Sequence, residues 1–257
     1  MNKILMRNIL ATTVLTAGLA PLAQASVPSG IFITEFMGKA GASANGFVEI
    51  TNLTASFVDL SQFGYYKTGM DSTNGPTLPG TSTFDASKVA QIMFASVAPG
   101  ESVILTTACD SAACEDELGE KDFHKIWGLN AAVKVQTLDP DRFYSLVPSS
   151  EAQLSLYRLS DGMLLDQVNY STALAQSGVS ASAGPDALGL PYNATGWVNS
   201  SVGDTFGSKM TTAAGYAGAI GNPGLYVSPA PEPETYAMML AGLGLVALAK
   251  RRRKQIA

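Results

Sequence analysis

Fifteen consecutive uncharged residues, Thr235 to Ala249, run straight into Lys250-Arg251-Arg252-Arg253-Lys254. No water-soluble core accommodates an apolar helix that ends on five adjacent cations. As a helix the run spans about 22 Å at 1.5 Å per residue, short of the ~30 Å hydrocarbon core of a bilayer. Tyr236 at one interface and the snorkelling basic side chains at the other extend its reach. Pro229, Pro231 and Pro233 precede it. Each proline fixes its own φ and biases the residue before it towards extended backbone, which separates this helix from everything upstream. The expectation is a single C-terminal transmembrane helix over 235–249 with a basic stop at 250–254. Clustered Lys and Arg stay on the cytoplasmic side, so the rest of the chain lies beyond the membrane.

The other terminus agrees. Lys3 and Arg7 form a short positive region, Ile9 to Leu22 is apolar, and Ala23-Gln24-Ala25 has small residues at the two positions a signal peptidase reads. Residues 1–25 therefore read as a secretory signal peptide, with Ser26 the first mature residue.

Pro231-Glu232-Pro233, the apolar helix and Arg251-Arg252-Arg253 follow one another in that order. Together they resemble the PEP-CTERM sorting signal of Gram-negative bacteria, over 229–254. The resemblance implies recognition and cleavage by an exosortase-type membrane peptidase. It also implies a transient stay in the inner membrane and final placement at the cell surface or outside the cell, with exopolysaccharide and biofilm matrix as the setting.

Between the two targeting segments lie nine Lys and Arg against nineteen Asp and Glu, a net charge of −10. Nucleic-acid binding needs a basic patch, so no nucleic-acid partner is expected. Cys109 and Cys114 are the two cysteines. In an exported chain a pair at this spacing reads as a small disulfide loop, and one distant histidine does not complete a zinc site.

The body shows short β-rich segments with turn residues between them. Ile31–Met37, Phe47–Asn52, Phe57–Leu60, Phe63–Lys67, Val89–Phe94, Ser102–Thr107, Val133–Thr137, Gln153–Leu159 and Met163–Tyr170 read as strands. Ser160-Asp161-Gly162 reads as a hairpin turn. Cys114–Trp127 is the one helix expected in the body. In the second strand Val48 and Ile50 alternate with Glu49 and Thr51, which assigns the latter pair to the opposite face. The pattern predicts an all-β, antiparallel sandwich. From Ser171 to 228 Gly, Ser, Ala and Asn dominate, and this part reads as an extension or linker.

Four stretches in order resemble a lamin-tail-like domain, an immunoglobulin-type β-sandwich. They are Ile31–Met37; Gly46–Asn52 running into Val58-Asp59-Leu60-Ser61; Ala98-Pro99-Gly100-Glu101 running into Leu105; and Leu154–Tyr157 with Asp161-Gly162 and Leu165–Tyr170. The resemblance assigns this domain to 26–170 and implies a structural or binding role, with no catalytic residues.

Catalytic signatures are missing. His124 is the single histidine, and no Gly-x-Ser-x-Gly elbow or phosphate-binding glycine loop occurs. Glu35 and Glu49 form a carboxylate pair if their strands are neighbours, and acid–base work would then require burial to raise one of them. Asp110, Glu115, Asp116, Glu117, Glu120 and Asp122 offer oxygen ligands for Ca²⁺ but lack the spacing of a defined calcium loop. Trp127, Trp197 and the tyrosines are candidates for a sugar-stacking platform. The reading is an exported non-enzyme without a cofactor, structural or adhesive. The alternatives are a matrix-polymer hydrolase and a Ca²⁺-dependent or carbohydrate-binding module.

Overall fold

The computed structural model describes residues 29–39, 45–69, 89–107, 120–138, 151–188, 196–213 and 218–227. The expected signal peptide with Ala23, Ala25 and Ser26, the expected Cys109–Cys114 disulfide, the expected tail helix with its basic stop and the side chains of the 110–122 acidic cluster lie outside them. No helix among the described residues is long and apolar enough to cross a membrane. Residues 26–229 form one compact unit.

The strands are β1 (Ile31–Lys39), β2 (Asn45–Asn52), β3 (Phe63–Gly69), β4 (Ala90–Gln91), β5 (Ser102–Thr107), β6 (Lys134–Leu138), β7 (Glu151–Arg158), β8 (Leu164–Ser171), β9 (Ser180–Ala183), β10 (Trp197–Asn199), β11 (Lys209–Met210) and β12 (Ile220–Gly221). Helix α1 spans Glu120–Trp127. Six strands make a larger sheet in the order β10-β9-β1-β2-β5-β6. Four make a smaller one in the order β4-β3-β7-β8, and β11 pairs with β12. Alternate residues of the two larger sheets meet in a common core. Phe36, Val48, Ile50, Val103 and Leu105 come from one sheet, and Tyr65, Leu154, Leu156, Val168 and Tyr170 from the other. Burial of these side chains, at about 25 cal/mol per Å² of apolar surface, is the main force holding the sheets together.

Most of the expected strands form, with three differences. Phe57–Leu60 is not a strand. Val58 makes an isolated bridge to Val97, and Leu60–Gln62 closes a 3₁₀ turn whose Ser61 N–H is capped by the Asp59 side chain. Strand β6 runs parallel to β5, not antiparallel. A parallel neighbour needs a crossover, and the connection that contains α1 supplies it. Third, the Gly/Ser/Ala-rich segment after Ser171 is not merely appended. It contributes β9, paired with β1 through Glu35↔Ser182, Phe36↔Ala181 and Met37↔Ser180, and then β10. Small side chains let this added edge lie flush against the sheet.

Strand β1 carries a bulge. Ile33 pairs with Ile50 and Glu35 with Glu49, so Thr34 is an extra residue against β2. A bulge resets the alternation of faces. Ile33 and Phe36 thereby both join the inter-sheet core. Thr34 and Glu35 both turn to the outer face, where Thr34 meets Glu49 and Thr51. The seam beside the bulge is closed from the other sheet by Asp166 of β8, which accepts the Ile33 N–H at 2.7 Å. At the opposite flank Gln136 of β6 donates to the Gln91 carbonyl and accepts the Met93 N–H, stitching β6 to the β4 region.

The outer face of the larger sheet is covered as well. At one end Phe123 and Trp127 of α1 pack on Met37, Phe47, Ile104 and Val135. Phe47 meets both rings edge-on, with centroids 5.7 and 5.8 Å away. His124, on the same helix, donates from Nε2 to the Val133 carbonyl at 2.7 Å. The histidine is half-buried and structural.

Candidate functional site

Glu35 and Glu49 stand directly opposite each other on β1 and β2. Both lie on the outer face of the sheet, the face that alternation in β2 assigns to Glu49 and Thr51, yet they are only 3% and 1% exposed. The bulge aims Glu35 outward, and the chain beyond β10 folds back over the pair. Phe206, Asn222, Leu225, Tyr226 and Val227 form the roof.

Each carboxyl is held by hydroxyls from the sheet and one N–H from the roof. Glu35 accepts Ser180 Oγ at 2.5 Å and the Asn222 N–H at 2.9 Å, both through Oε1. Glu49 accepts Thr34 Oγ1 at 2.7 Å through Oε1 and the Gly224 N–H at 2.6 Å through Oε2. Thr34, Thr51 and Ser102 continue as a row of hydroxyls 2.7 Å apart, and Ser180 passes to Ser200 at 2.8 Å. The Asn222 side chain locks the roof by donating to the carbonyls of Phe206 and Leu225.

Among the described residues neither carboxyl is ion-paired; the ion pairs are Lys134–Glu101 and Arg158–Asp161. Two like charges cannot both ionise cheaply in a buried site. Burial, with Glu49 beside it, pushes Glu35 up to about 8, against the opposing hydrogen bonds from Ser180 and Asn222. Burial also raises Glu49, while Thr34 and Gly224 pull it down. The pair therefore holds a proton at neutral pH. The recess between the carboxyls and the roof is about 10 Å³, room for roughly one water-sized body. A sugar ring does not fit there.

The close approach of the roof depends on glycine. A Cβ at Gly221 would stand 2.9 Å from Ser180 Oγ, 3.0 Å from Glu35 Oε1 and 3.3 Å from Trp127 Cη2. Gly221→Ala should cost about 1–3 kcal/mol, as overpacking in a filled site does. Urea unfolding checks this, and an unchanged midpoint would contradict the packing. Gly224, at φ +90°, supplies its N–H from backbone that L-residues rarely adopt.

Sequence reasoning named this carboxylate pair but not its roof, because the covering residues follow some 170 positions later. The other candidates fare differently. Trp127 and Trp197 are 5% and 7% exposed, one on the sheet-facing side of α1 and one in the inter-sheet core, so neither offers a sugar platform. Among the described residues no group of three or more His, Cys, Asp or Glu is arranged to hold a metal ion.

Residues 229–254 match the PEP-CTERM protein-sorting motif. The chain carries an exosortase-type sorting signal. The matched interval has the bounds read from the sequence and contains Pro231, Glu232, Pro233 and the basic run 250–254. A PEP-CTERM motif marks an exported protein that passes through a membrane for sorting and is recognised there by an exosortase, a membrane peptidase. No curated protein matches the chain.

Proposed function

We propose that this PEP-CTERM protein is a non-enzymatic structural or adhesive component of the cell surface or extracellular matrix, associated with exopolysaccharide. Its body is a lamin-tail-like, immunoglobulin-type sandwich that begins at Ser26 once the signal peptide is removed. The tail anchors it transiently in the inner membrane until exosortase cleavage. The observation that carries the non-enzymatic part is the engagement of Glu35 and Glu49. The buried carboxylate pair, the described residues best placed for acid–base chemistry, is occupied in fastening the backbone at Asn222 and Gly224. A hydrolase acting through the same carboxyls would need that roof lifted, and its substrate would have to replace both bonds.

Fractionation of cells producing the full chain tests the reading. The released protein should sediment with the matrix polysaccharide. A chain lacking Pro231–Pro233 should remain in the membrane at full length and vanish from the matrix. Released protein that ignores the polysaccharide and does not self-associate would overturn the adhesive role.

A further inference from the structure

The roof over the carboxylate pair is also the last described stretch before the sorting motif. Val227 ends it, and the match begins at residue 229. We infer that residues 222–227 form a proton-operated clasp, held shut while Glu35 and Glu49 share a proton and opened when both ionise.

The argument rests on which side of the site can yield. Two adjacent buried carboxylates repel each other and demand water. Water enters either by parting β1 from β2 or by lifting the roof. Strands β1 and β2 pair through seven registered positions, and each has a further strand on its other side. The roof is tied to the sheet at this site by the N–H bonds of Asn222 and Gly224 to the two carboxyls, by a long 3.4 Å bond from the Tyr226 N–H to Ser102 Oγ and by the packing of Tyr226 on the core, while the Asn222 side-chain bonds to Phe206 and Leu225 lie within the roof. Leu225 is more than half exposed to solvent. The roof is therefore the weaker wall, and local opening follows the weaker wall.

Among the described residues no cation is paired with either carboxyl. From β2 Glu35 meets Glu49, and from the loop before β11 it feels Asp204, another acid. Strands β9 and β5 present the hydroxyls of Ser180, Ser182 and Ser102, α1 presents the Trp127 ring beside Gly221, and the roof itself presents Tyr226. Hydrogen bonds from Ser180 and Asn222 favour the ionised form of Glu35 and are outweighed by burial and by Glu49. Opening the clasp frees the stretch immediately ahead of the sorting motif, so external acidity would govern how far that stretch is held to the sandwich.

Amide hydrogen exchange on the full chain in detergent micelles tests this at pH 6 and pH 9, after correction for intrinsic exchange. The readout is the protection of the Asn222 and Gly224 amides relative to those of Ile50 and Leu105 in β2 and β5. In the wild type this ratio should fall by about tenfold or more at pH 9. In Glu35→Gln, which keeps an acceptor but cannot ionise, it should stay within about twofold. A wild-type ratio that does not change with pH overturns the clasp, and so does a folded Glu35→Gln protein that loses protection as the wild type does. If Glu35→Gln fails to fold, the wild-type ratio decides alone.

Discussion

Phe36→Ala is expected to remove about 4 kcal/mol of unfolding free energy, the range found when a buried phenylalanine is cut back to a methyl group. Phe36 is fully buried on β1. Its ring lies 4.7 Å from that of Tyr170 on β8 and 5.2 Å from that of Trp197 on β10. One side chain thus touches the smaller sheet and the late strand that completes the larger one. Truncation forfeits the transfer energy of the ring and leaves a cavity whose walls are two rigid aromatics, which cannot collapse to fill it. For a unit of this size the loss should lower the melting temperature by about 8–16 °C. Phe36→Leu should recover more than half of it. Thermal unfolding followed by circular dichroism decides the matter, and a loss below about 1 kcal/mol would mean that Phe36 is not the tie between the sheets.

The second large effect is a fall in stability as pH rises. In the folded chain Glu35 titrates at about 8, against 4.5 for an ordinary glutamate. Between those limits the folded state binds a proton that the unfolded state has released. By linkage, stability is fully present below pH 4.5 and drains away as pH climbs through 8, by up to ~1.4 kcal/mol per pH unit. Glu49, raised by burial, acts in the same direction. Asp166, raised to about 6 by burial, adds to the slope at its lower end only. Asp59 and Asp161, held low by hydrogen bonds from Ser61 and Arg158, are ionised throughout and leave the slope alone. Urea midpoints at pH 5.5, 7 and 8.5 should therefore decline steadily, and Glu35→Gln should flatten the decline above pH 6. A midpoint that rises with pH over this range would show that the pair is not protonated in the folded protein.

Much of the sandwich is legible in the sequence because half-buried strands alternate. Val48 and Ile50 against Glu49 and Thr51, or Leu154 and Leu156 against Ser155, reveal both the strand and its inner face. The pattern carries less elsewhere. Alternation says nothing of strand direction, so Val133–Thr137 reads as a strand without revealing that β6 runs parallel to β5. Ser180-Ala181-Ser182-Ala183 lacks the branched and aromatic residues that favour strands, and its strand is set by pairing with β1 on one side and β10 on the other. The bulge itself left a trace: Ile33 and Phe36 are three apart, an odd spacing for two residues of one face. The site was half visible. A glutamate at a polar position of an alternating strand reads as solvated, and only a roof 187 residues distant from Glu35 makes it buried. No local window contains that information.

The stitched flanks of the sandwich bear on how copies of this protein can meet. An unpaired strand edge invites a neighbouring molecule to add a strand of its own, the route to runaway fibre growth. Here the Ile33 N–H is taken by Asp166, and the Gln91 carbonyl and Met93 N–H are taken by Gln136. The two N–H donors are spent and cannot pair with a second molecule. An exported protein is thereby kept from adding strands through the donors of these two seams.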